Sequence, residues 1–98
     1  MYEIRRTDTF SKWLDRLRDA RARVRVLSRL TRAEDGNLGD TKPVDESVSE
    51  MRIDYGPGYR VYFTKRRKTI IVLLVGGDKS SQEQDIKRAI QLARDLEE

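Results

Sequence analysis

"SEMRIDYGPGYRVYF", residues 49–63, decides how the rest of the chain is read. Met51, Ile53 and Tyr55 alternate with Glu50, Arg52 and Asp54, and Tyr59, Val61 and Phe63 alternate with Arg60 and Tyr62. Period-two alternation on both sides of a Gly-Pro-Gly turn is the signature of two half-buried strands joined as a hairpin. Side chains change face at every residue, so both apolar sets enter one core only if cross-strand partners have numbers of equal parity. A turn at Gly56-Pro57-Gly58 then predicts Tyr55 opposite Tyr59, Ile53 opposite Val61 and Met51 opposite Phe63. The other face receives Asp54 beside Arg60 and Arg52 beside Tyr62, pointing away from the apolar layer. Asp54–Arg60 is then either a cross-strand ion pair of about 0.2–1 kcal/mol or part of an anion-binding platform.

Upstream, "YEIRR" (2–6) reads as a short strand. Phe10, Trp13, Leu14 and Leu17 fall at helical spacing behind Thr7 or Asp8 as N-cap. Ala20, Val24 and Leu27 form one lane of a second helical stretch, and Ala22, Val26 and Leu30 the lane beside it. Asp19 as a cap gives an αα-hairpin with almost no loop; without that cap, one long kinked helix results. "EDGNLGD" (34–40) ends the helix in a loop. Downstream, "TIIVLLV" (69–75) is apolar without alternation, as in a central strand covered on both faces. Ile86, Ala89, Ile90 and Ala93 mark a final helix, with Ser80/Glu83 or Ser81/Gln84 as its capping box. The order β-α-α-β-β-β-α predicts one α+β domain over residues 1–98, a small, mainly antiparallel sheet with the two N-terminal helices on one face.

Composition narrows the chemistry. The chain has no cysteine and no histidine, which removes the usual zinc and copper ligands and a Ser-His or Cys-His nucleophile. No metal and no cofactor are expected. No apolar run approaches a membrane span and no leader pattern opens the chain, so a cytoplasmic, disulfide-free protein is expected. The net charge of +4 is uneven: residues 1–41 hold 10 basic and 7 acidic groups, 42–79 hold 8 and 5, and 80–98 hold 3 and 5. A basic body suggests a polyanionic or acidic partner, although 39% charged residues also serve solubility. Lys42 precedes the hairpin, and Lys79 sits at the start of the last helix, where amides favour an anion. "TKRRKT" (64–69) reads as a basic surface turn.

Three stretches, "DGNLGDTKPV", "EMRIDYGPGYRVYF" and "IIVLLVGGDKSSQEQDI", resemble the HigB-like branch of the RelE/ParE toxin superfamily, the addiction-module killer proteins. The similarity runs through nearly the whole chain. It implies a RelE-like fold and the toxin of a type II toxin–antitoxin pair, a metal-independent endoribonuclease that cuts messenger RNA at the ribosome. The resemblance assigns catalytic roles to Arg52, Arg60 and Lys79, around the scissile phosphate; by their positions beside these, Lys42, Tyr62 and Asp78 are the further substrate-binding candidates. Asp78, Tyr62 or a lysine of lowered pKa is the expected proton acceptor. Near position 85 RelE has a tyrosine and HigB proteins a histidine, where this chain has Asp85; Glu50 stands at a position that is lysine in RelE. The implied partners are an acidic antitoxin, HigA-like with a helix-turn-helix domain, and the ribosome with its message.

Two other classes compete. A ParE-like gyrase poison would bind protein and need no basic sheet face. A non-catalytic RNA- or ribosome-binding module would use the arginines of the two N-terminal helices, Arg16, Arg18, Arg21, Arg23, Arg25, Arg29 and Arg32, as phosphate contacts.

Overall fold

A computed structural model describes residues 1–96. The elements run β1 (Glu3–Arg6), α1 (Asp8–Arg16), α2 (Ala20–Glu34), β2 (Thr41–Pro43), β3 (Ser49–Ile53), β4 (Tyr59–Arg66), β5 (Ile70–Gly77), a 3-10 turn (Lys79–Ser81) and α3 (Gln82–Leu96). The five strands form one sheet in the order β1-β5-β4-β3-β2, with β1 parallel to β5 and every other pair antiparallel. The α+β class and the helix positions agree with the sequence reading. Among the described residues no helix is long and apolar enough to cross a membrane.

The helices start where their caps are. Thr7 accepts the Phe10 amide at α1, and Asp19 accepts the Arg21 and Ala22 amides at α2, so the N-terminal helices form a hairpin. α1 and α2 cover one sheet face with Phe10, Leu14, Val26 and Leu30 against Met51, Val61, Phe63 and Leu73. The two apolar lanes of α2 part company: Ala22, Val26 and Leu30 are buried, while Val24 and Leu27 are 64% and 40% exposed. An arc of about 100° faces the sheet, too narrow for both lanes.

Three features depart from the sequence reading. β2 is an additional edge strand; three residues ending in proline carry no alternation to read, and proline fits an edge because its missing donor faces no partner. The hairpin keeps its parity but slips by two residues: Ile53 faces Tyr59, Arg52 faces Arg60, and Glu50 faces Tyr62. The chain turns through a wider loop, with Gly56 at φ +55° and Gly58 at φ +82° and the Gly58 amide bonded to the Tyr55 carbonyl. Moreover, the second sheet face is not open. α3 crosses it, packing Ala89 and Ala93 over Tyr62, Val72, Leu74 and Val75. The bulge between Tyr62 and Phe63 lets β5 present both Leu74 and Val75 to this second core.

Candidate functional site

Where β3, β4, the loop before β2 and the 3-10 turn meet, a cleft of about 350 Å³ is lined by Arg52, Arg60, Lys79, Asp40, Asp54 and Tyr59, among others. Cross-strand pairing sets Arg52 beside Arg60, and Gly58 admits Lys79. A Cβ at position 58 would lie 3.7 Å from Arg60 Nη1 and 3.9 Å from Lys79 Cδ, so the turn's lack of a side chain lets the two cations approach. The three cations named from the sequence therefore line one cleft. Lys79 is exposed, whereas Arg60 is 9% exposed.

Each arginine is already partnered. Arg60 Nε donates to Glu50 Oε2 at 3.2 Å and Nη1 to the Gly58 carbonyl at 3.3 Å. Glu50 is 3% exposed, so this is an interior ion pair in place of the Asp54–Arg60 contact expected from the sequence. Arg52 Nη2 holds Asp40 Oδ1 at 2.8 Å, while its buried Nε has no partner. Arg29, one of the arginines that the sequence offers as phosphate contacts, clamps this corner by donating to the carbonyls of Leu38 and Arg52. Burial, and then the charge of Arg32, lowers the Arg29 pKa from its ordinary value. Gly39, at φ +68°, lies under that guanidinium, where a Cβ would come within 2.8 Å of Nη2. Glu50, Asp40 and Arg29 were missed because acid–base partners from distant segments leave no local spacing. Only the "GNLG" loop hinted at a corner there.

The remaining candidates lie elsewhere. Lys42 is exposed on edge strand β2 opposite Glu50 and does not line the cleft. Asp78 is a cap: its Oδ1 accepts the Ser80 amide at 2.8 Å and the Ser80 hydroxyl at 2.6 Å, and Ser81 completes the capping box in place of the boxes expected at Ser80/Glu83 or Ser81/Gln84. Asp85 lies over Gly77 and accepts from Ser81 Oγ at 2.6 Å. Tyr62, expected on an open face, is fully buried beneath α3. Burial, with Glu50 and Asp85 adding to it, pushes its hydroxyl up to about 12, so it stays protonated and is no base.

Tyr62 also has a buried hydroxyl without a hydrogen-bond partner, a state that costs about 1–3 kcal/mol. Tyr62→Phe is therefore expected to be about 1 kcal/mol more stable than wild type at neutral pH. The folded-state pKa lies above the unfolded value near 10, so wild-type stability is full below pH 10 and falls as the pH rises toward 12. Tyr62→Phe should lose that alkaline slope. Urea melts from pH 7 to pH 11 check both statements, and a destabilised Tyr62→Phe would refute the first.

The family model described as "Phage derived protein Gp49-like (DUF891)" matches residues 12–97. The chain belongs to this family. It is a RelE-like toxin family of the addiction-module type. A relative from Haemophilus influenzae, named only as an uncharacterized protein, is 45% identical to this Gp49-like chain over 94 residues, 96% of this chain and 95% of its own length. The Gp49-like match begins inside α1 and takes in the whole of the cleft.

Proposed function

We propose that this Gp49-like protein is the HigB-like toxin of a type II toxin–antitoxin pair and cuts messenger RNA at the ribosome without a metal. The observation that carries this reading is the meeting of Arg52, Arg60 and Lys79, from three separate segments, at one cleft. A 2′-hydroxyl attacking the adjacent phosphate passes through a pentavalent state with extra negative charge. Guanidinium groups suit that charge because they stay protonated and match phosphate oxygens in pairs. Removing one such donor costs on the order of 10²–10³ in rate. With Tyr62 sealed and Asp78 engaged as a cap, Asp54 and Lys79 are the charged side chains lining the cleft that hold no ion-pair partner among the described residues. They are the candidates to handle the 2′-hydroxyl proton. Glu50 and Asp40 compete with substrate for Arg60 and Arg52, so the phosphate must displace or share them. An acidic HigA-like antitoxin would neutralise by reaching the same cations or by blocking ribosome entry.

That internal competition favours a second reading: a binding module, such as a gyrase poison, in which the two arginine pairs are structural. Lys79→Ala separates the two readings cleanly, because Lys79 is exposed. Induction of wild type should arrest growth and leave cuts inside translated codons, and Lys79→Ala should lose about 10²-fold or more of the cutting while remaining folded. Arrest with intact transcripts and broken DNA would discard the nuclease in favour of the gyrase poison.

A further inference from the structure

We infer that the cleft at the opposite end of the sheet is a second anion site, one that takes the phosphodiester backbone of single-stranded RNA. The choice of RNA among polyanions rests on the reading above; the site itself does not. This cleft, of about 510 Å³, is lined by Arg5, Arg6, Arg66 and Arg67 over a floor that includes Ile70 and Val72. Three pieces of chain bring the arginines together. β1 lies parallel to β5, with Arg5 opposite Val72 and Arg6 opposite Leu73. The end of β4 supplies Arg66 and the turn after it Arg67. α3 ends against the turn, where Arg66 Nη1 donates to the Leu96 carbonyl at 2.6 Å.

The charge balance differs from that of the first cleft. There, Asp40 and Asp54 sit among the cations. Here, among the described residues, no carboxylate side chain lines the cleft, and of the four arginines Arg5 alone pairs with an acid, the neighbouring Glu3. Like charges that share a cleft repel, and an anion between them relieves that repulsion. Planar guanidinium forks match phosphate oxygens in pairs. The turn backbone points the same way. Arg67 and Lys68 adopt φ of +52° and +67°, a left-handed region that glycine or asparagine enters more readily. Strain kept in a surface turn for the sake of basic side chains is an indication of use.

Arg60 and Arg66 stand at opposite ends of the eight-residue strand β4, about 20 Å apart at 3.4 Å per residue. The two contacts are therefore separable. The second would raise affinity for the RNA target without touching the reacting linkage.

The test is a fluorescence-anisotropy titration of a 2′-O-methyl RNA oligonucleotide, which cannot be cleaved by its own 2′-oxygen, across a sodium chloride series. It compares wild type, Arg6→Gln/Arg67→Asn and Lys79→Ala. Both substituted arginines are exposed, and asparagine tolerates the left-handed backbone at 67, so the double variant should fold. Each lost contact to a single strand reduces the slope of log K against log salt by about 0.7, so the double variant should be shallower by about 1.4. An unchanged slope in the folded double variant overturns the inference, as does wild-type binding to polyglutamate or to phosphatidylserine vesicles that matches or exceeds binding to RNA. A shallower slope in a protein that never cuts transcripts keeps this site and removes the nuclease; wild-type cutting with an unchanged slope does the reverse.

Discussion

Arg60→Ala should lower folding stability by about 3–5 kcal/mol, the cost of leaving a buried charge without its partner. The carboxylate left behind is Glu50, 3% exposed, between Lys42 and Tyr62 on its neighbouring strands. Loss of the Arg60 bond to the Gly58 carbonyl would also loosen the turn beside Lys79. The paired substitution Glu50→Leu/Arg60→Met should recover most of the loss, because replacing a buried ion pair by apolar side chains of similar volume is often neutral or stabilising. Urea denaturation of wild type, both single variants and the double closes the cycle. A folded Arg60→Ala within about 1 kcal/mol of wild type would mean that Glu50 finds water or Lys42 instead, and that Arg60 is free for substrate. The outcome bears on function directly: loss of toxicity in Arg60→Ala is ambiguous if the variant unfolds. A folded double variant that still cuts RNA would remove Arg60 from the mechanism.

Gly76→Ala is the second large effect, expected at about 2–3 kcal/mol from forcing side-chain volume into a filled space. A Cβ there would fall inside the Trp13 indole, with Cζ3 at 2.5 Å. Trp13 itself packs against Phe10, at 5.7 Å between ring centres, and Tyr59, at 6.2 Å, so displacing the ring disturbs both contacts. The neighbouring Gly77→Ala meets Asp85 Cγ at 2.8 Å and Ser81 Oγ at 2.9 Å, short polar side chains that can swing aside, and should cost less. Because Trp13 is the chain's one tryptophan, its emission reports the displacement in Gly76→Ala while denaturant melts give the energy. Adding Trp13→Leu should return part of the stability. Wild-type stability and an unchanged emission spectrum in Gly76→Ala would show that the indole does not press on position 76.

Much of the fold could be read from local pattern. Thr7 and Asp19 announce their helices because a cap needs only an oxygen and the next two or three amides. The parity of Met51, Ile53, Val61 and Phe63 survived the two-residue slip in register, since any even shift keeps the same side chains in the core. "TIIVLLV" announced its double burial because both of its faces meet packed helices. The cationic corner was half legible: Arg52, Arg60 and Lys79 were named, and they do share a cleft.

By itself, then, the amino-acid order determined which side chains are apolar and at what period, and so the elements, the facing of each strand and the set of cations available. Only the tertiary structure decided what those cations touch. The register slip put Arg60 beside Arg52, the passage of α3 sealed Tyr62, and the corner before β2 delivered Asp40 to Arg52. Periodicity is a property of neighbours along the chain, whereas an ion pair such as Glu50–Arg60 depends on the last few ångströms of packing between strands.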